Sequence, residues 1–247
     1  GGTPPYTWSW SGPNGFTSTQ QSPSIPNATT AMAGTYTLTV TGANGCTGSA
    51  STNVVVNAKP TATASSNTPV CEGSAINLTG GASGGTPPYT WSWSGPNGFT
   101  SNQQSPSIPN ATTAMAGDYT LTVTAAGCSS NAVSTNVVVN AKPMATASSN
   151  TPVCEGSAIN LTGGASGGTP PYTWSWSGPN GFTSTQQSPS IPNATTAMAG
   201  TYTLTVTAAG CSSNPASTNV VVNAKPTATA SSNSPVCEGS TISLTGG

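Results

Sequence analysis

The residues of this chain able to catalyse, ligate or cross-link are few: six cysteines, four acidic groups and three lysines, with no histidine in 247 residues. Cys71, Cys154 and Cys237 recur every 83 residues, as do Cys128 and Cys211. No Cys-x-x-Cys is present, so the cysteines point to disulfides and an oxidising location rather than to metal or redox chemistry; buried free thiols are the alternative. Without histidine, Ser-His-Asp and Cys-His arrangements and His-bearing zinc sites cannot be built. The acids are Glu72, Glu155, Glu238 and Asp118. Glycoside hydrolysis needs two carboxyls at one bond, and each repeat supplies one reliable glutamate. Calcium at a junction between repeats needs several acidic oxygens, more than Glu72 provides. The expectation is no catalytic residue, no cofactor and no metal.

The elements that position these groups are read from a second repeating set. Tyr89, Trp91 and Trp93 alternate with Thr90, Ser92 and Ser94, which in an extended strand puts the aromatics on one face and the hydroxyls on the other. Pro96-Asn97-Gly98 is turn chemistry, so the chain reverses before Phe99. The same words stand at Tyr6 to Phe16 and at Tyr172 to Phe182, making the chain an array of one unit of 83 residues. Within the second repeat, Asn57-Ala58-Lys59-Pro60 reads as a short proline-stiffened linker and Thr61 to Ser66 as an edge strand. Cys71 opens a strand in which Ile76 and Leu78 face inward. Pro106 and Pro109 confine their stretch to an edge strand or an extended connection, and Thr112 to Gly117 is a helical turn or a loop. Asp118 to Thr124 is the cleanest alternation, with Tyr119, Leu121 and Val123 inward and Thr120, Thr122 and Thr124 outward. Ser134 to Asn140 is the last strand. About seven short strands with turn signals between them and no helical period predict an all-β class: a tandem array of antiparallel β-sandwiches, which the resemblance given below makes Ig-like.

Charged residues are 3% of the chain, against about 25% in ordinary globular proteins. A net charge of −1 spread so thinly gives neither the counterion release of nucleic-acid binding nor attraction to an anionic membrane. The longest aliphatic run is Val54 to Val56 and its equivalents, far short of the ~18 residues of a membrane span. Regularly spaced aromatic and β-branched residues separate the chain from the disordered class despite its Gly, Pro, Ser and Asn content.

Ala116-Gly117-Asp118-Tyr119-Thr120-Leu121-Thr122-Val123 is similar to the tyrosine corner of immunoglobulin-like domains, and Trp93 to their inter-sheet tryptophan. Leu121 stands where antibody domains carry their second core cysteine, so the usual inter-sheet bridge is absent. From Pro69-Val70-Cys71-Glu72-Gly73-Ser74 through Trp93 to Phe99 and on to Gly127-Cys128, the unit resembles the Ig-like and PKD-like repeats of giant bacterial cell-surface proteins. Such proteins use the type IX secretion route and include gliding-motility adhesins. The resemblance implies a secreted, non-catalytic protein of the bacterial cell surface, its repeats serving as stalk, spacer or adhesin.

Cys71 precedes the second strand and Cys128 follows the tyrosine-corner strand, which leads to an expected bridge within each repeat, Cys71 to Cys128 and Cys154 to Cys211. Closing a loop of that length is worth about 4 kcal/mol in the chain-entropy account. The expected domains are a partial repeat at 1–58, complete repeats at 59–141 and 142–224, and a partial repeat at 225–247. Residues 1–58 lack the first two strands of a unit, and 225–247 are those two strands alone. Two readings stay open. Either the chain is a stretch of a longer polypeptide of many repeats, or separate chains join head to tail by β-strand addition sealed by Cys237 to Cys46.

The expected function is structural: an extracellular filament or cell-surface stalk of modules each about 40 Å long, with neighbouring repeats or chains as partners. Three lysines offer trypsin-like proteases few sites. The alternative is an adhesin that stacks surface glycans on exposed aromatics, although a shared face for Tyr89, Trp91 and Trp93 favours packing. Outward threonines also fit an ice-binding array, and ordinary strand chemistry accounts for them better. Asn27, Asn77, Asn110, Asn160 and Asn193 fit glycosylation sequons, as chance allows in so Asn- and Thr-rich a chain.

Overall fold

A computed structural model describes residues 2–247. The chain divides into two compact units, Gly1–Val138 and Val139–Gly247. Strands and short 3-10 turns are the regular elements of the described residues.

The first unit begins with a four-stranded antiparallel sheet. Thr7–Ser11 lies between Thr17–Ser18 and Gly34–Thr41, and Thr47–Val54 closes the far side. Trp8 is opposite Val40 and Trp10 opposite Leu38, so the alternating apolar residues of two strands meet on one face. The unit then repeats this sheet and adds a second. Tyr89–Gly95 pairs with Gly117–Ala125 in the same register, Trp91 against Val123 and Trp93 against Leu121. Phe99–Ser101, Cys128–Ser129 and Val133–Val137 complete this sheet. The second sheet is Thr61–Ser66, Ile76–Ser83 and Ser107–Ile108. Ile76, Leu78, Trp93, Tyr119, Leu121 and Val123 are all at most 1% exposed and form the core between the two sheets.

Particular residues shape this sandwich. Pro96-Asn97-Gly98 forms a 3-10 turn in which both Asn97 (φ 56°) and Gly98 (φ 72°) take left-handed backbone, Asn tolerating it through its short polar side chain. Gly80 sits under the aromatic strand: a Cβ there would lie 3.2 Å from a ring carbon of Trp91 and 2.7 Å from the Gln104 carbonyl. Only glycine lets the two sheets approach that closely. The stretch from Thr112 resolves into a 3-10 turn, Thr113–Met115, that feeds the tyrosine-corner strand. The chain's last strand in this repeat does not run through Val138 unbroken, because Val138 donates its N–H to the Thr68 hydroxyl at 2.7 Å and accepts from the Val70 N–H at 3.0 Å.

The second unit repeats the sandwich. Met144–Ser149, Ile159–Ser166 and Ser190–Ile191 form one sheet, and Tyr172–Ser177 with Gly200–Ala208 centre the other. Val222–Asn223 runs parallel to Val153–Cys154, the one parallel register of this unit among the described strands. Ile159, Leu161, Trp176, Tyr202, Leu204 and Val206 are its core. The unit ends in a two-stranded hairpin, Ala230–Ser232 with Leu244–Gly246, whose residues are all exposed.

Candidate interaction surface

Among the described residues no group of three or more His, Cys, Asp or Glu side chains is placed to hold a metal. Asp118 accepts from Asn136 Nδ2 at 2.8 Å, a cross-strand pair in the same sheet. The remaining distinctive features are the cysteines, the tyrosine corners and the aromatic rows.

The corner is built three times by the same local device. After each 3-10 turn the tyrosine hydroxyl donates back to the carbonyl four residues upstream: Tyr36 to Met32 at 2.8 Å, Tyr119 to Met115 at 2.9 Å, Tyr202 to Met198 at 3.0 Å. The ring fills the space left by a glycine on the neighbouring strand, since a Cβ on Gly95 would come within 2.5 Å of Tyr119. Phe99 meets the same ring edge-on at 5.5 Å. Burial pushes the Tyr119 and Tyr202 hydroxyls above the usual tyrosine range, because ionisation would place a charge where water cannot reach it.

The cysteines depart from expectation. Cys71 and Cys211 are disulfide-bonded, whereas Cys46, Cys128, Cys154 and Cys237 are free thiols. Bridges Cys71 to Cys128 and Cys154 to Cys211 are thus corrected, and with them the expectation of one disulfide closing each domain. The reason lies in which end of the sandwich each thiol occupies. Cys128 Sγ lies 3.6 Å from the carbonyl of Asn57, where the chain enters the repeat. Cys71 follows Val70, which is bonded to Val138, where the chain leaves it. The next repeat has the same arrangement: Cys211 Sγ is 3.9 Å from the Asn140 carbonyl, while Glu155, beside Cys154, donates to Asn223 at 2.8 Å. Two thiols at opposite ends of a sandwich cannot meet the few-ångström separation a disulfide requires. Sequence reasoning placed both at strand ends and overlooked that Ile76–Ser83 and Gly117–Ala125 run in the same direction in the two sheets, so a thiol before the first and a thiol after the second lie at opposite ends. Cys46 and Cys237, the candidates for a bridge between segments or chains, are exposed thiols in this single chain.

The entering linker is fixed at that same end. Asn57 Nδ2 donates to the Ala126 carbonyl at 3.1 Å and Asn140 Nδ2 to Ala209 at 3.2 Å. Ala126 and Ala209 hold left-handed backbone in the hairpin that presents these carbonyls. Sequence reading gave the linker stiffness to Pro60 alone and missed these asparagines, whose recurrence at the repeat spacing was the available signal.

Of the aromatic row, Trp93 is buried while Tyr89 and Trp91 are half-buried. Tyr89 donates to the Gly84 carbonyl at 2.7 Å and meets Trp91 edge-on, with ring centroids 6.3 Å apart. The first sheet differs. Its apolar face carries Trp10, Phe16, Ile25, Met32, Tyr36 and Val54 around a groove of about 440 Å³. Leu38 and Val40 are half-buried, although their equivalents in both later sandwiches are wholly buried.

The family model described as immunoglobulin domain matches residues 59–139 and 142–222. Curated proteins gave no match. Among solved structures, the N-terminal eight Ig domains of Down Syndrome Cell Adhesion Molecule superpose with a TM-score of 0.53 at 15% identity, over 89% of this chain and 33% of that one. Sidekick-1 immunoglobulin domains 1–5 give 0.35 at 17% identity, over 89% and 52%. The three N-terminal domains of the bacteriophage RB49 Highly Immunogenic Outer Capsid protein give 0.42 at 14%, over 90% and 89%. This chain thus spans a third of the first structure and about half of the second. Two all-β sandwiches with tyrosine corners, each covered by the same family model, make this chain a member of the immunoglobulin-domain family.

Proposed function

We propose that the chain is a non-catalytic, extracellular array whose repeated modules supply length and resistance, as the shaft of a filament or cell-surface stalk. The modules are a partial repeat at 1–58, complete repeats at 59–141 and 142–224, and a partial repeat at 225–247. The observation that carries the reading is the linker: Asn57 and Asn140 each tie the entering chain to the module that follows, where free hinges would leave them solvated. Support also comes from what surrounds it. The sheets present hydroxyl ladders such as Thr120 to Ser134 (2.9 Å) and Thr124 to Ser129 (2.9 Å), chemistry that solubilises a surface without charges for partners to read. Among the described residues no helix is long and apolar enough to cross a membrane.

The finer assignment is a bacterial cell-surface location, with neighbouring repeats or chains of the same kind as the principal partners. It draws on the likeness to type IX-secreted surface repeats. The alternative of a glycan-binding adhesin needs free aromatic faces, and the half-buried Trp91 packs over Gly80 instead. Electron microscopy of native surface material tests the structural reading. A thin filament with a period of about 40 Å per repeat is expected. Globular particles, or saturable glycan binding lost on Trp91→Ala, would overturn it.

A further inference from the structure

The five Asn-x-Thr triplets of the chain sit in two different environments. Asn77-Leu78-Thr79 and Asn160-Leu161-Thr162 lie inside the strands Ile76–Ser83 and Ile159–Ser166. Asn77 is opposite Ser107 and accepts from its hydroxyl at 2.7 Å, as Asn160 does from Ser190. Their main-chain N–H groups are held as well, by the side-chain carbonyls of Asn67 and Asn150, each at 2.8 Å. The middle residues Leu78 and Leu161 are 1% exposed, so neither triplet can leave its sheet without opening the core.

Asn110-Ala111-Thr112 and Asn193-Ala194-Thr195 stand instead in the connections that lead into the 3-10 turns Thr113–Met115 and Thr196–Met198. Both asparagines and both threonines are exposed, whereas the alanine between them is buried. That alanine is clamped from two sides: the Ala111 carbonyl accepts from the Gly73 N–H at 2.7 Å and its own N–H donates to the Ser74 carbonyl at 2.8 Å. Ala194 makes the same pair of bonds with Gly156 and Ser157. A rigid support thus presents an asparagine amide and a threonine hydroxyl to solvent, once in each complete repeat. Asn27-Ala28-Thr29 shares the local backbone, with φ 54° at Asn27 as at Asn110 and Asn193.

The fold accounts for two residues of each exposed triplet. Asparagine tolerates the left-handed backbone, and alanine suits a buried clamp. The threonine hydroxyl has no such task. Thr112 and Thr195 occupy the N-cap of a turn, where a hydroxyl ordinarily accepts from a free N–H, yet neither makes that bond. Asn97 and Asn180, which also hold left-handed backbone, spend their amides on the Ala114 and Ala197 carbonyls at 3.2 Å and carry no threonine two residues on. Among the described residues the Asn110 and Asn193 amides have no such partner.

We propose that Asn110 and Asn193 are N-glycosylation sites, with Asn27 as their equivalent, and that Asn77 and Asn160 are not. The donor class is an oligosaccharide carried on a polyprenyl diphosphate. The amide nitrogen Nδ2 bonds to the anomeric carbon as the bond from that carbon to the diphosphate oxygen breaks. The diphosphate leaves with the electron pair, and one amide proton passes to a base of the transferase. One acceptor per 83 residues sets a bulky, hydrated chain along an array in which only 3% of residues are charged. The inference rests on the extracellular reading proposed above, since these triplets are acceptors in exported proteins.

The test is glycopeptide mass spectrometry of the chain recovered from the surface of the cells that produce it. Sugar masses are expected on Asn110 and Asn193, with peptides carrying Asn77 and Asn160 bare. Thr112→Ala with Thr195→Ala should abolish the addition, and Thr112→Ser with Thr195→Ser should retain it. Melting of the Ala pair should match the parent, because neither hydroxyl has a partner to lose. Surface chains bare at both asparagines overturn the inference and leave the extracellular reading standing. Equal addition at Asn77 and Asn160, or sugar on the threonine hydroxyls instead, also overturns it. A chain found only inside the cell overturns the extracellular reading and this inference with it.

Discussion

Residues 7–54 and 90–137 spell nearly the same sequence and adopt the same sheet, yet only the second has a buried core. Pairing of the two central strands is identical: Trp8 with Val40 matches Trp91 with Val123, and Trp10 with Leu38 matches Trp93 with Leu121. The tyrosine corner is also identical, Tyr36 staying buried at 5% exposure with its hydroxyl bond made. What differs is the opposite layer. Leu121 and Val123 lie under Ile76 and Leu78 and are fully buried, whereas Leu38 and Val40 are half-open. Register and corner are thus properties of one sheet and its turns. Burial belongs to the pair of sheets.

The comparison can be broken most severely at the inter-sheet tryptophan. Trp93→Ala empties a site sealed on both sides and should cost about 3–5 kcal/mol. Trp10→Ala removes a ring that is already partly wet and should cost about half of that, as denaturant midpoints of the two variants would show. Equal losses would mean that the first sheet is covered in solution. The glycines under the tyrosines sharpen the point from the other side. Gly95→Ala and Gly12→Ala both push a methyl into a tyrosine ring and should each cost about 1–3 kcal/mol, equal within error because the corner needs no second sheet. Smaller still, Tyr119→Phe and Tyr36→Phe each lose one hydroxyl-to-carbonyl bond, about 1 kcal/mol apiece.

The smallest effect is set by pH. Tyr119 and Tyr202 have hydroxyls raised in the folded state by burial, so folding holds their protons more tightly than the unfolded chain does. Their contribution is complete below about pH 10, the unfolded tyrosine value, and is lost as pH rises through the raised folded values. Thermal melts should therefore hold level through neutral pH and fall only in the alkaline range. Loss of stability beginning near neutrality would contradict it.

Much of the fold was legible because each strand declares its faces. Tyr119, Leu121 and Val123 alternating with threonine could be read from period alone, and the Asp-Tyr after a glycine marked the corner. The cysteine pairing was not legible. Being near a strand end says nothing about which end of a sandwich that is, and because Ile76–Ser83 and Gly117–Ala125 run the same way, Cys71 before the first and Cys128 after the second fall at opposite ones. The half-burial of Tyr89 and Trp91 was similarly hidden, because a shared face does not say how far the covering sheet extends along it.

The sequence alone determined the module length, the strands, their inward residues and the turns, since these follow from side-chain alternation and from backbone preferences of Pro, Asn and Gly acting over a few residues. Only the tertiary structure decided which thiols remain free and how asparagine ties a linker down. Those outcomes depend on how distant segments stack and on which end of the sandwich each residue reaches. Local chemistry does not carry that information.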